Sequence, residues 1–263
     1  MSRSHPPSPS VELCHGGPWI VESMPPMVGS PLMLSLIIPT YNEARNIGLL
    51  IKRLVSMLDR VHPGHYELIV VDDDSRDLTW QVAAQYQSQY PQLRVIRRCQ
   101  EQGLSTAVIR GWQAAQGEWL GVIDGDLQHP PEILLKLIEA IATGADLAMA
   151  SRHLSGGGVS QWSFSRRFLS RGAQLLGLMI LPRVVGRVSD PMSGYFLVRR
   201  NAIAAHPLQP IGYKILIEVL GRGQINHIVE VPYVFQEREK GESKVTMREY
   251  INYLRHLFRL RGC

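Results

Sequence analysis

"GVIDGDLQHPP", residues 121–131, sets two aspartates one glycine apart at the end of an apolar run and continues with glutamine, histidine and two prolines. Two local folds compete for it. Asp-Gly is a favoured two-residue hairpin turn, but such a turn needs a return strand directly after it. The chain instead runs on into "PPEILLKLIEAI" (130–141), a helical pattern expected to be opened by its prolines. The stretch therefore reads as the carboxyl end of a strand feeding a helix, and the chain as an α/β protein.

The same unit repeats around it. "LSLIIP" (34–39), "YELIVVD" (66–72), "LRVIRR" (93–98), "EWLGVID" (118–124) and "DLAMAS" (146–151) read as buried strands. A helix after the first carries Ile47, Leu50, Ile51, Leu54, Val55 and Leu58 on one face, with Thr40 or Asn42 as its expected cap. Two more helices are expected from about Asp77 to Gln87 and from about Leu104 to Ala115. Strand-helix units with short loops imply a mostly parallel sheet flanked by helices, with ligands bound beyond the carboxyl ends of the strands.

At 263 residues, 45% apolar and 19% charged, the chain has enough material for one large core. Residues 1–32 are rich in Pro, Ser and Gly, lack periodicity and are expected to be disordered; they do not make a signal peptide. Met33 directly precedes the first strand, so this extension is expected to be dispensable. Residues 33–244 form the expected α/β domain. Residues 245–263 are expected as a basic amphipathic helix, with Tyr250, Leu254, Leu257 and Phe258 on one face.

The formal charge of +5 is unevenly placed: Ser151 to Ser189 holds six arginines and no carboxylate, a run expected to face something anionic. Cys14, Cys99 and Cys263 are too few and too far apart for a disulfide framework or a zinc site, which fits a reducing compartment. No apolar stretch reaches the roughly 18 residues needed to span a bilayer; the best, "LLGLMIL" (175–181), stops at Pro182. Trp80, Trp112, Trp119 and Trp162 lack the interleaved basic pattern of a nucleic-acid platform.

Three strand ends carry the chemistry: "PTYNE" (39–43), "VDDDS" (71–75) and "DGDLQ" (124–128). Acidic strand ends gathered in one place repel one another unless a cation or a hydrogen-bonding ligand sits among them. A hard ion such as Mg²⁺ or Mn²⁺ takes carboxylate oxygens, keeps waters and is completed by substrate phosphates. Asp124 and Asp126, at i and i+2 in an extended segment, are expected to point the same way and to hold it. His129 beside them is expected as a loop or shell residue sooner than as a metal ligand, because the site is predominantly oxygen. No GxxxxGK[ST] loop occurs and no GxGxxG comes after the first strand, which argues against ordinary ATPases and dinucleotide dehydrogenases.

Taken in order, "LIIPTYNEARNI", "IVVDDDSRDLT", "GLSTAVIRGW", "VIDGDLQHPPE", "SDPMSGYFLVRR", "GYKILIEVL" and "FQEREKGESK" resemble the inverting glycosyltransferase family two with the GT-A fold, and within it the dolichyl-phosphate or polyprenyl-phosphate mannose synthases. The resemblance runs from Leu34 to about Lys244. It implies mannosyl transfer from GDP-mannose to a dolichyl or polyprenyl phosphate with inversion, on the cytosolic face of a membrane, where a membrane-anchoring subunit is a further candidate partner. UDP-glucose is the alternative donor, and a sugar nucleotidyltransferase the more distant alternative. It assigns Pro39, Tyr41, Glu43, Asp73 and Arg152 to the nucleotide and its phosphates, with Asp72 in support. Asp124, Asp126 and Gln128 match the metal and diphosphate motif, and Arg238 and Lys244 a loop over the diphosphate. Arg166, Arg167 and Arg171 share the acceptor phosphate, with none singled out. Asp74 stands where relatives often have Gly or Asn, at an expected left-handed turn that Asp tolerates next best.

Overall fold

Alternating apolar residues along the central strands divide the core in two. Leu36, Ile38, Leu68 and Val70 face one side of the sheet, and Ile37, Ile69 and Val71 the other. The computed structural model describes residues 11–13, 21, 32–159, 172, 174–204, 206–236 and 247–262. Its first half alternates β1 (Val11–Leu13), β2 (Leu34–Thr40), α1 (Ile47–Val61), β3 (Tyr66–Asp72), α2 (Thr79–Ala84), β4 (Leu93–Arg97), α3 (Leu104–Ala114), β5 (Trp119–Val122) and α4 (Ile133–Ala142). Then come β6 (Leu147–Ser151), β7 (Gly158–Val159), α5 (174–180), α6 (Pro182–Val185), β8 (Phe196–Arg199) and α7 (Arg200–Ala204). The chain closes with α8 (Ile215–Arg222), β9 (Ile228–Pro232), β10 (Val234–Phe235) and α9 (Met247–Arg261).

The main sheet runs β1-β4-β3-β2-β5-β8-β6-β9, with β8 antiparallel to both of its neighbours and every other pair parallel. Helices α1, α2 and α4 cover one face; α3, α7 and α8 cover the other. Strand β2 pairs with β3 on one side and β5 on the other. The chain order reverses there, and in open α/β sheets ligands bind beyond the carboxyl ends of the strands at such a point. The expected mostly parallel α/β sheet is what the chain forms; β8 and β9 were not foreseen.

Other expectations change in detail. Neither Thr40 nor Asn42 caps α1, which starts at Ile47 after Asn46. The Thr40 hydroxyl goes to Asp72 (2.7 Å), and the Asn42 side-chain oxygen accepts from the Arg76 N–H (3.1 Å). Pro130 and Pro131 precede α4 instead of opening it, and their carbonyls accept the N–H groups of Ile133 and Leu134. Within the extension expected to be disordered, Val11–Leu13 adds an edge strand beside Val95–Arg97, and Val21 is buried.

The terminal helix is rotated from its expected face. Tyr253, His256, Leu257 and Leu260 turn inward, while Phe258 is 59% exposed. A buried polar pair explains the rotation. His256 Nε2 meets Glu218 Oε2 at 2.6 Å with both residues fully enclosed, and such a group must be partnered where it is buried. Glu218 also takes Arg222 Nε at 2.7 Å within α8, and it is the His256 contact that pins α9 to α8.

Candidate active site

The acidic pair sits just past β5. The strand stops at Val122, and Ile123 makes the last ladder bond, to the Ile37 carbonyl (3.1 Å). Gly125 and Asp126 then turn, and Leu127 takes φ +63, a left-handed conformation that costs an L-residue about 1–2 kcal/mol. Strand alternation therefore does not align the two carboxylates, contrary to the expectation for an extended segment. The two instead stand on one tight turn, and the charges of both raise the buried Tyr233 phenol.

Four hydrogen-bonding contacts hold this turn. Asp126 Oδ1 accepts the Gln128 N–H (3.1 Å). Gln128 is fastened twice to Gln236, its carbonyl accepting the Gln236 N–H (2.9 Å) and its Nε2 donating to the Gln236 carbonyl (3.0 Å). Asp124, 30% exposed, meets His129 Nε2 through Oδ2 at 3.2 Å. A methyl group at Gly194 would lie 3.0 Å from that same oxygen, so the glycine makes room for the carboxylate.

At the neighbouring strand ends the acids are tied into the protein. Asp72 accepts the Ser75 N–H (2.8 Å), the Ser75 hydroxyl (2.6 Å) and the Thr40 hydroxyl. Asp73 takes Nε and Nη2 of the buried Arg98 on one oxygen and the Gly103 N–H (2.7 Å) on the other. Glu43 accepts from Asn46 Nδ2 (2.7 Å), and the Glu43 N–H donates to the Thr79 hydroxyl (2.8 Å). Asn42 and Asp74 adopt φ +53 and +54, so the left-handed turn expected at Asp74 is present. Pro39 lies near the end of β2, and Tyr41, just past the strand, is exposed.

On the other flank Arg152, just after β6, forms a fork with Asp190: Nε to Oδ2 and Nη2 to Oδ1, each at 2.7 Å. Burial pushes the Asp190 carboxyl up, but the Arg152 hydrogen bonds and charge outweigh it and hold the group below its ordinary value. Burial raises the Tyr233 phenol, which the Arg152 charge opposes and the charges of Asp190, Asp124 and Asp126 reinforce. Tyr233 thus stays an O–H group beside four charges. The arginine-rich run is not one anion-facing surface, because Arg152 serves Asp190 and Arg187 donates to the carbonyls of Leu220 and Ile225. Arg166, Arg167, Arg171, Arg238 and Lys244 lie outside the described residues.

Residues 35–206 match the model of glycosyl transferase family 2. The chain belongs to that family. It is 46% identical over 229 residues to the dolichol-phosphate mannosyltransferase of Pyrococcus furiosus, covering 87% of this chain and 64% of that relative. With the Saccharomyces cerevisiae dolichol-phosphate mannosyltransferase it shares 34% over 232 residues, 85% of either chain. Among solved structures, glucosyl-3-phosphoglycerate synthase from Mycobacterium tuberculosis superposes with a TM-score of 0.66 at 21% identity, over 96% of this chain and 88% of that one. Mannosyl-3-phosphoglycerate synthase from Rubrobacter xylanophilus gives 0.64 at 21%, over 87% and 73%. Both share the GT-A fold with this family 2 chain.

Sequence reasoning missed Asp190, Gly194 and Tyr233. One signal was available for the first: Asp190 is the first carboxylate after the acid-free run, and a buried arginine at its start needs a carboxylate. Among the described residues no three His, Cys, Asp or Glu side chains form a metal-binding cluster. Two carboxylates at one turn nevertheless fit a hard divalent ion that draws its other oxygens from phosphate and water. A separate cleft of about 710 Å³ opens at the amino ends of β3 and β4, lined by Tyr66, Glu67, Tyr90 and Arg94. It lies at the opposite end of the sheet from the acidic pair.

Proposed function

We propose that this chain transfers mannose from GDP-mannose to a dolichyl or polyprenyl phosphate. The observation that carries the proposal is the gathering of Asp124 and Asp126 on one turn at the carboxyl edge of β5, flanked by the Arg152–Asp190 fork. Mannose and the dolichyl phosphate acceptor follow the name borne by relatives at 34–46% identity, and GDP as its carrier follows the motif resemblance.

The chemistry rests on charge. An acceptor phosphate is already anionic near neutral pH and needs little help from a base, whereas the departing nucleoside diphosphate gains charge as its bond to the sugar breaks. Groups placed where charge develops, in a site sheltered from water, are worth far more than in solution. Asp124 and Asp126 would hold Mg²⁺ or Mn²⁺, which supplies Lewis-acid stabilisation of the diphosphate. Asp72 and Asp73 brace the loops around Pro39, Tyr41 and Glu43 that receive the nucleotide. Arg238 and Lys244 add positive charge at the diphosphate, and Arg166, Arg167 and Arg171 at the acceptor phosphate. A single in-line displacement inverts the anomeric carbon and leaves no sugar on the protein.

The acceptor is a lipid, so the chain must meet a bilayer. Among the described residues no helix is long and apolar enough to cross one. Leu175, Leu176, Leu178 and Met179 on α5, and Ile251 and Phe258 on α9, are exposed, with exposed Arg183 and Arg255 near them in sequence. Apolar side chains next to cations suit the surface of an anionic membrane, and we place the chain peripherally on the cytosolic face. Purified protein with a short-chain polyprenyl phosphate, Mn²⁺ or Mg²⁺ and a panel of nucleotide sugars tests the proposal. GDP-mannose is the expected donor. Preference for UDP-glucose would replace mannose with glucose, and release of pyrophosphate from a nucleoside triphosphate would overturn the reaction class.

A further inference from the structure

A buried histidine must account for both ring nitrogens, because each is either a donor or an acceptor. His129 is 2% exposed. Its ring lies inside an aromatic box formed by Tyr195, Tyr233 and Phe235, with centroid separations of 5.3, 5.5 and 5.2 Å. The Tyr233 ring is stacked on it at an interplanar angle of 23°, and the other two meet it near edge-on. Nε2 faces Asp124 Oδ2 at 3.2 Å, while Nδ1 has no hydrogen-bond partner among the described residues. An ionised carboxylate only accepts, so the proton of this contact is on Nε2.

We infer that His129 is the positioning residue of the acidic pair. Its Nε2–H fixes the rotamer of Asp124, and the aromatic box fixes the imidazole. Gly194 leaves the space this orientation needs, since a Cβ there would stand 3.0 Å from Oδ2 and 3.3 Å from Oδ1. Asp124 is thereby presented in one orientation before any ligand arrives, which removes an ordering cost from binding. This rests on the proposal that Asp124 and Asp126 hold the divalent ion.

Mn²⁺ binding to the full chain in the presence of GDP, measured by calorimetry or electron paramagnetic resonance, provides a readout independent of turnover. His129→Phe fills the box without a donor and is expected to weaken Mn²⁺ binding by about 10- to 100-fold, the usual effect of losing a group that orients a ligand. The Mn²⁺ concentration for half-maximal rate should rise by a similar factor. His129→Gln, which restores an N–H, should recover most of the loss. Equal Mn²⁺ affinity in wild type and His129→Phe would overturn the inference, whereas wild-type protein that binds no Mn²⁺ would instead overturn the metal proposal beneath it. Long-range ¹H–¹⁵N spectra of the wild-type imidazole give a check that does not depend on a variant folding. They are expected to show the Nε2–H tautomer, and an Nδ1–H tautomer would refute the assignment.

Discussion

Two pairs of acidic residues stand at the ends of β3 and β5, the strands on either side of β2, and are engaged differently. Asp72 and Asp73, at the end of β3, spend their oxygens on the protein: on Thr40 and Ser75 in one case, on Arg98 and Gly103 in the other. Asp124 and Asp126, past the end of β5, sit on a turn with a strained Leu127, and Asp124 keeps 30% of its side chain exposed. The first pair builds the loops, and the second is the one proposed above to meet a ligand. On that proposal, the same residue type in the same topological position does architectural work on one side of β2 and chemical work on the other.

Exchanging single members of the pairs is the most direct way to break that contrast. Asp73→Ala removes the nearer of the two carboxylates paired with a guanidinium that is almost wholly enclosed, leaving Glu101 at 3.5 Å. Breaking a buried ion pair on one side costs about 3–5 kcal/mol, so urea unfolding should show a loss of that order. Asp126→Ala should instead lower the transfer rate by about 10²- to 10³-fold, equivalent to roughly 2.7–4 kcal/mol, while the urea midpoint changes little. A stable Asp73→Ala protein, or a nearly normal rate for Asp126→Ala at saturating metal, would reverse the two roles.

The fold was legible from the chain because each central strand is a run of apolar residues bounded by polar turns and succeeded by a 3.6-residue pattern. The antiparallel β8 was not, since "YFLV" is too short to reveal its direction and its pairing with β5 and β6 is entirely non-local. At the site, the acidic strand ends and the left-handed Asp74 were readable from residue type and position. The division of labour was not. Whether an aspartate is engaged internally depends on Arg98 and Gly103, which lie 25 and 30 positions away and meet it only across the sheet. The face of α9 was misread for the same reason, because a distant glutamate, Glu218, draws His256 inward.

Asp190 extends the contrast to the far flank, where an acid beyond the acidic pair is again given to a buried arginine. Replacing one charged hydrogen-bonding partner costs about 1.5–3 kcal/mol, and Asp190→Asn is expected to fall in that range at neutral pH. Linkage sets the pH dependence. The folded-state value is depressed, so stabilisation by Asp190 is fully present above the ordinary carboxylate value of 3.8 and disappears as pH falls through the lower folded value. Urea titrations of both proteins between pH 7 and pH 3 should therefore converge only below about 4. Convergence already near pH 6 would assign the stabilisation to another group.

The smallest effect belongs to the one acid of the "VDDDS" segment that reaches the surface. Asp74 accepts from Arg97 Nε at 2.7 Å, and the Arg97 guanidinium lies 4.3 Å from the Trp80 ring centre. Both partners of the ion pair are about a third exposed, so water and salt screen them, and pairs of this kind contribute about 0.2–1 kcal/mol. The cation–π contact adds about 0.5–1 kcal/mol at such a site. Arg97→Ala should therefore cost roughly 1 kcal/mol or a little more, with the ion-pair share shrinking in 1 M salt as the Debye length contracts to about 3 Å. Unfolding in urea at low and high salt measures both quantities. A loss above about 3 kcal/mol would mean that the left-handed turn at Asp74 hangs on its surface partner, and that the strength of this strand end does not reside in the buried bonds of Asp72 and Asp73.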